Sequence, residues 1–174
     1  SITVDATTTT SNDISMVGVG SSTRVIVPST AVKTAHIFMD SGTMELSAST
    51  VSGSKAIVTG GTLLTKDSGK VNAGSTSHTP AAISLFGGKY EHRSDQSLAG
   101  GGRLLAVFGG EADFSKVTST TDSTERLSLG AIDVFGGRLR VDAPGNVVEI
   151  GSNSLLLGGQ VVNSTSTTLA NAKA

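Results

Sequence analysis

ISLFGGKYEH (83–92), LAVFGGEADF (105–114), IDVFGGRLRV (132–141) and SLLLGGQVVN (154–163) are four copies of one pattern. An apolar run meets a glycine pair, and a second short run follows it. Two looser copies come earlier, AIVTGGTLLT (56–65) and IFMDSGTMEL (37–46). With the second glycine as phase mark, the copies fall at Gly42, Gly61, Gly88, Gly110, Gly137 and Gly159, separated by 19, 27, 22, 27 and 22 residues. A period in the low twenties, built from β-type runs with no helical stretch between them, predicts an all-β, single-stranded parallel β-helix (a solenoid) of about six coils.

The stretch 138–157 shows the plan of one coil: RLRV, the turn DAPGN (142–146), VVEI, the turn GSN (151–153), then SLLL. Three short strands, two turns and a glycine corner make a three-sided rung. Pro144 presets φ and Gly145 accepts positive φ, a strong turn signal. The longer spacings carry added Ser, Thr and Gly in turns, as in 65–80 and 115–126. Insertions confined to turns suit a solenoid, because each coil touches only its neighbours. A β-sandwich is the rival fold, since evenly spaced short strands also suit it. It does not call for the same FGG step at the same point of successive repeats.

Residues 1–33 differ, being Thr-rich at first and then carrying two brief β-like runs ended by Pro28; they read as an N-terminal arm and cap. The coils are expected over 34–163, and 164–174 as a polar C-terminal tail. The open ends of stacked sheets invite association unless covered, and the run 25–27 is placed to pair with the first coil.

Stacking the repeats turns sequence into columns. Two residues past the mark stand Met44, Leu63, Tyr90, Ala112, Leu139 and Val161; three before it stand Met39, Val58, Leu85, Val107, Val134 and Leu156. Both columns are apolar and point inward, so parity switches at the glycines and the chain must bend there. Glycine takes the bend because it has no Cβ to clash, which makes Gly61, Gly88, Gly110, Gly137 and Gly159 structural corners. Just past the mark, Lys89, Glu111 and Arg138 alternate in sign, worth ~0.2–1 kcal/mol per neighbouring pair and favouring this register.

Just before the glycines stand Phe86, Phe108, Phe135 and Leu157. Two placements remain open. They stack inside the corner as an aromatic ladder, or they point outward as an apolar stripe for a partner subunit.

Chemistry-bearing clusters are few. Glu91, Asp113 and Arg140 share one outward column and resemble the acid sets of polysaccharide-cutting β-helices, where Arg140 would tune the two carboxylates. The same triplet reads more readily as a ladder of surface ion pairs, since an outward column on a solvated face normally holds charges. His92 falls on an inward position and reads as a corner residue; His36 and His78 lack metal-ligand spacing. No nucleophile elbow, complete phosphate loop or dinucleotide fingerprint is present. No catalytic residue, cofactor or metal is expected. Asn163-Ser164-Thr165 fits a glycosylation sequon.

Bulk composition bounds the partners. Net charge is −1, from 13 basic and 14 acidic residues, with no block of either sign, which gives no electrostatic reason to expect nucleic acid or an anionic membrane. Cysteine is absent, so there is no disulfide, thiolate nucleophile or Cys-based zinc site. No basic stretch followed by an apolar run opens the chain, so no signal peptide is expected. Ser1 is compatible with loss of an initiator Met or with cleavage of something longer.

With these columns drawn, residues 35–163 resemble right-handed parallel β-helix proteins, among them phage tail and head-surface proteins and the passenger regions of autotransporter adhesins. The resemblance implies the fold and transfers no catalytic residue. A solenoid with a Thr-rich arm, no cysteine and no active site looks most like a non-enzymatic virion structural protein: a capsid decoration, fibre or spike component on the virion surface. Its implied partners are identical subunits, threefold by analogy with virion fibres, and a capsid or tail reached through the arm. A cell-surface adhesin fragment is the second reading, and a polysaccharide lyase or hydrolase the third.

Overall fold

The computed structural model of the chain describes residues 2–3, 14–27, 32–33, 36–47, 50–52, 55–67, 70–72, 83–94, 103–117, 127–128, 131–142, 148–149 and 154–162. Their strands, in chain order, begin with β1 (Ile2–Thr3), β2 (Ile14–Met16), β3 (Arg24–Val27), β4 (Val32–Lys33), β5 (His36–Met39), β6 (Thr43–Ser47) and β7 (Thr50–Ser52). Then come β8 (Lys55–Val58), β9 (Thr62–Asp67), β10 (Lys70–Asn72), β11 (Ile83–Leu85), β12 (Lys89–Ser94), β13 (Arg103–Val107) and β14 (Glu111–Asp113). The last are β15 (Leu127–Ser128), β16 (Ala131–Val134), β17 (Arg138–Arg140), β18 (Val148–Glu149), β19 (Leu155–Leu156) and β20 (Gln160–Val162).

These strands stack into a parallel β-helix. One face is an eight-stranded sheet, β1-β3-β6-β9-β12-β14-β17-β20, and the next is a seven-stranded sheet, β2-β5-β8-β11-β13-β16-β19. The third face consists of two shorter pieces, β4-β7-β10 and β15-β18. Every pairing is parallel and joins one coil to the next. Ile83, Ser84 and Leu85 lie beside Leu105, Ala106 and Val107, which lie beside Ile132, Asp133 and Val134. Registering the glycine pairs is therefore the same as registering the coils. The plan read from 138–157 is realised as β17, β18 and β19, one on each face; residues 143–147 and 150–153 lie outside the described set.

Both apolar columns line the interior. Met39, Val58, Leu85, Val107 and Val134 are buried on one sheet, and Met44, Leu63, Tyr90, Ala112 and Leu139 on the other. Ile37, Ala56, Ile83, Leu105 and Ile132 add a second buried column two residues upstream. Parallel sheets covered on their inner faces by such runs draw most of their stability from this apolar burial.

The glycine pair solves two separate problems at the corner. Its second member has positive φ at all six marks, for example +71° at Gly137, a conformation costing an L-residue ~1–2 kcal/mol. Its first member lies against the coil below: a Cβ on Gly136 would come within 2.6 Å of the Phe108 carbonyl oxygen. Ser41 holds the first position at the Gly42 mark, and the coil beneath it explains why.

That lower coil extends the ladder upstream. Ile14–Met16 pair with Ile37–Met39, and Val25, Ile26 and Val27 pair with Met44, Glu45 and Leu46. Residues 25–27 thus pair with the first coil, as the sequence suggested. The corner of this rung runs over 17–23 instead of the three residues 40–42, so no tight glycine step lies beneath Ser41. The Ser41 hydroxyl instead accepts a hydrogen bond from the Val19 amide at 3.1 Å. Of the terminal segments, residues 4–13 and 163–174 lie outside the described set, and with them the Thr run, the tail and the sequon.

Candidate functional site

Two features of the solenoid surface stand out, and they share a corner. The first is the column ahead of the glycine pair. Phe86, Phe108 and Phe135 are 53, 44 and 37% exposed, and Leu157 is 64% exposed. Successive rings stack at 4.8 and 4.9 Å between centroids, with their planes within 8° of parallel. Of the two placements left open by the sequence, the outward one is realised. The pitch of the coils sets the ring spacing, so the ladder is a direct product of the FGG repeat. Beside it, the glycine pairs put a strip of bare backbone between the rings and the charged column that begins at Lys89.

The second feature is that charged column and its neighbour on the outer face of the eight-stranded sheet. Lys89 lies beside Glu111, and Glu111 beside Arg138, at nitrogen–oxygen separations of 3.3 and 3.5 Å. Glu91, Asp113 and Arg140 do occupy adjacent register positions, as their spacing required. Their setting differs from the solvated face expected of them: Asp113 is 1% exposed and Glu91 6%. Lys89 bridges both, at 2.8 Å to Asp113 and 3.2 Å to Glu91. Arg93 also pairs with Glu91, and Lys116 reaches it at 3.2 Å. The Ser115 amide and hydroxyl both donate to Asp113 Oδ1, at 2.9 and 2.6 Å. Arg140 pairs with Asp142, at 3.1 Å.

These contacts fix the charge state of the cluster. Burial by itself would raise the Asp113 carboxyl, but the hydrogen bonds from Lys89 and Ser115 outweigh it and bring the group down to about 2. Glu91 is also held below its usual range: burial opposes this, and Arg93, Lys89 and Lys116 overcome it. Burial would lower the Lys89 ammonium, yet its bonds to Asp113 and Glu91 raise it. Both acids are thus held ionised and already bonded. A glycoside-cleaving pair needs one carboxyl with a raised pKa to protonate the leaving group. Nothing in this pair supplies one.

Glu45, which the sequence reading passed over, belongs to the same system. It sits three residues past the Gly42 mark, the column of Glu91 and Asp113, and is 2% exposed between Arg24 and Lys66. Extending that column by two coils would have found it. Across the face the carboxylates lie low and the cations lie over them.

His92 is wholly buried inside β12, where the sequence reading had it at a corner. Its Nδ1 lies 2.9 Å from both the Tyr90 and the Thr65 hydroxyls, and its ring packs against Phe114 at 5.5 Å. Burial raises the Tyr90 phenol above its usual range, against a smaller opposing effect of its bond to Thr65. This is a polar knot within the core. Among the described residues no set of three His, Cys, Asp or Glu side chains is arranged to hold a metal ion. The side chain of His36, and His78 altogether, lie outside what is described.

The fold and surface define a class: a parallel β-solenoid with one corner carrying an exposed aromatic ladder and one face locked by ion pairs. No family model matches the chain, and neither the curated proteins nor the solved structures provide a match.

Proposed function

We propose that the protein is a non-enzymatic structural component of an extracellular assembly, most specifically a virion surface protein of the decoration, fibre or spike type. In this reading it associates with identical subunits through Phe86, Phe108, Phe135 and Leu157, and it joins a larger particle through its N-terminal arm. The observation that carries the proposal is the exposed phenylalanine ladder. An exposed, contiguous apolar stripe beside a polar column is the kind of surface that serves as an interaction site. The ionised, mutually bonded Glu91 and Asp113 favour this reading over a polysaccharide-cleaving one. Immunogold electron microscopy of particles from the source of the sequence tests it, together with a depolymerisation assay on a panel of polysaccharides. The expected result is label on particles and no cleavage. Label confined to cell envelopes would favour the adhesin reading, and cleavage lost on Asp113→Asn would favour the enzyme.

A further inference from the structure

We infer that the self-association is a two-fold antiparallel dimer, with its axis crossing the ladder midway between the Phe108 and Phe135 coils. The inference rests on the reading of the stripe as a self-association surface and adds its partner geometry. Two columns run side by side along this corner, separated by the glycine pairs. Coil by coil, the stripe reads Phe86, Phe108, Phe135, Leu157, and the charged column reads Lys89, Glu111, Arg138, Gln160.

A two-fold axis at the midpoint reverses both columns in the second copy. Phe108 then faces Phe135 and Phe86 faces Leu157, each twice, so every member of the stripe meets another. The same operation brings Glu111 opposite Arg138 twice and Lys89 opposite Gln160 twice. The charged column is its own complement in the one register that also matches the apolar stripe from end to end.

Other arrangements fail one requirement or both. An axis through the Phe108 coil sets Glu111 against Glu111 and Lys89 against Arg138, which are like charges. An axis midway between the Phe86 and Phe108 coils pairs Lys89 with Glu111 but leaves Phe135 facing Thr59 and Leu157 facing Asp40. Parallel packing, in a two-fold or threefold ring, sets the charged column against the opposite flank of the ladder. Of the described residues there, Ser84, Ala106 and Asp133 are buried and present no exposed charge. An isologous interface requires a self-complementary patch, and the antiparallel register supplies it.

The patch is modest. Exposures of 53, 44 and 37% leave about 270 Å² of phenylalanine surface per copy, taking about 200 Å² per side chain. A standard interface buries about 800 Å² per partner, so the glycine strip and charged column must join the contact and the dimer is a weak one, forming with rising concentration.

Because the chain has no cysteine, engineered thiols read the geometry directly. In Phe86→Cys/Leu157→Cys the two thiols of one chain lie three coils apart, about 14 Å, too far for a disulfide. Mild oxidation should convert this variant to a covalent dimer, while Phe86→Cys alone should stay uncrosslinked. Both positions are exposed, and circular dichroism checks that the fold is kept. Separately, Glu111→Arg should weaken dimerisation about tenfold, and adding Arg138→Glu should restore it. If light scattering shows an oligomer but Phe86→Cys crosslinks by itself, or the double-cysteine variant does not crosslink, the antiparallel geometry is wrong and self-association stands. If the parent protein is monomeric at every concentration, the reading of the stripe falls as well.

Discussion

Alanine at three glycines separates the two demands made by the corner. Gly18 has φ +63° with nothing within 4 Å of an added Cβ, so Gly18→Ala meets only the backbone demand. Gly136 has no positive φ, but its added Cβ meets the Phe108 carbonyl oxygen at 2.6 Å, so Gly136→Ala meets only the contact. Gly137 meets both: φ is +71°, and the Cβ would lie 2.6 Å from the Gly110 oxygen and 2.7 Å from the Gly109 carbonyl carbon. Left-handed backbone costs an L-residue ~1–2 kcal/mol, offset by ~0.4–1 kcal/mol from the stiffer unfolded chain. Overpacking against atoms that cannot yield costs ~1–3 kcal/mol. With the offset applied to each, the expected losses are ~0–1.6 kcal/mol for Gly18→Ala, ~0–2.6 for Gly136→Ala and ~1–4.6 for Gly137→Ala, the last a large part of a typical domain's stability. Urea unfolding followed by far-UV circular dichroism measures all three. A Gly137→Ala variant no less stable than Gly18→Ala would refute the stacked-corner geometry.

Three further outcomes follow from the site. Asp113 has a folded pKa of about 2, below the ~3.9 of an unfolded aspartate, so the unfolded chain takes up the proton first as pH falls. Its contribution to stability should be complete above about pH 4 and lost as pH falls towards 2, and Asp113→Asn should flatten that limb of the unfolding curve. Tyr90→Phe should cost ~1–2 kcal/mol in the same urea assay by removing one hydroxyl from the buried knot around His92, and a neutral result would place the hydroxyl outside that network. Phe108→Ser should cost ~1–3 kcal/mol from its two lost ring contacts and abolish self-association in light scattering; a variant that still associates would take the ladder out of the interface.

The solenoid was legible because its period is written in the glycines. Once Gly88, Gly110 and Gly137 are in register, the inward columns and the Lys89–Glu111–Arg138 ladder follow from strand geometry alone. The rung built by β2 and β3 was harder to see, since its corner at 17–23 is four residues longer and lacks the glycine pair. The phenylalanines were ambiguous for a local reason. They stand next to the bend, where the parity that sorts inward from outward changes over. Burial of Glu91 and Asp113 was not legible, because the residues that enclose them, Lys89, Arg93 and Lys116, come from different points of two coils. Their column was visible in the sequence, but the long side chains folded over it were not.

If the outward ladder is a surface for a second copy of the chain, the protein must associate in solution. Sedimentation equilibrium of the unmodified protein from the low micromolar to several hundred micromolar range tests it most directly. The mass should rise with concentration from 17.4 kDa towards twice that value. A mass fixed at that of the single chain over the whole range would contradict it.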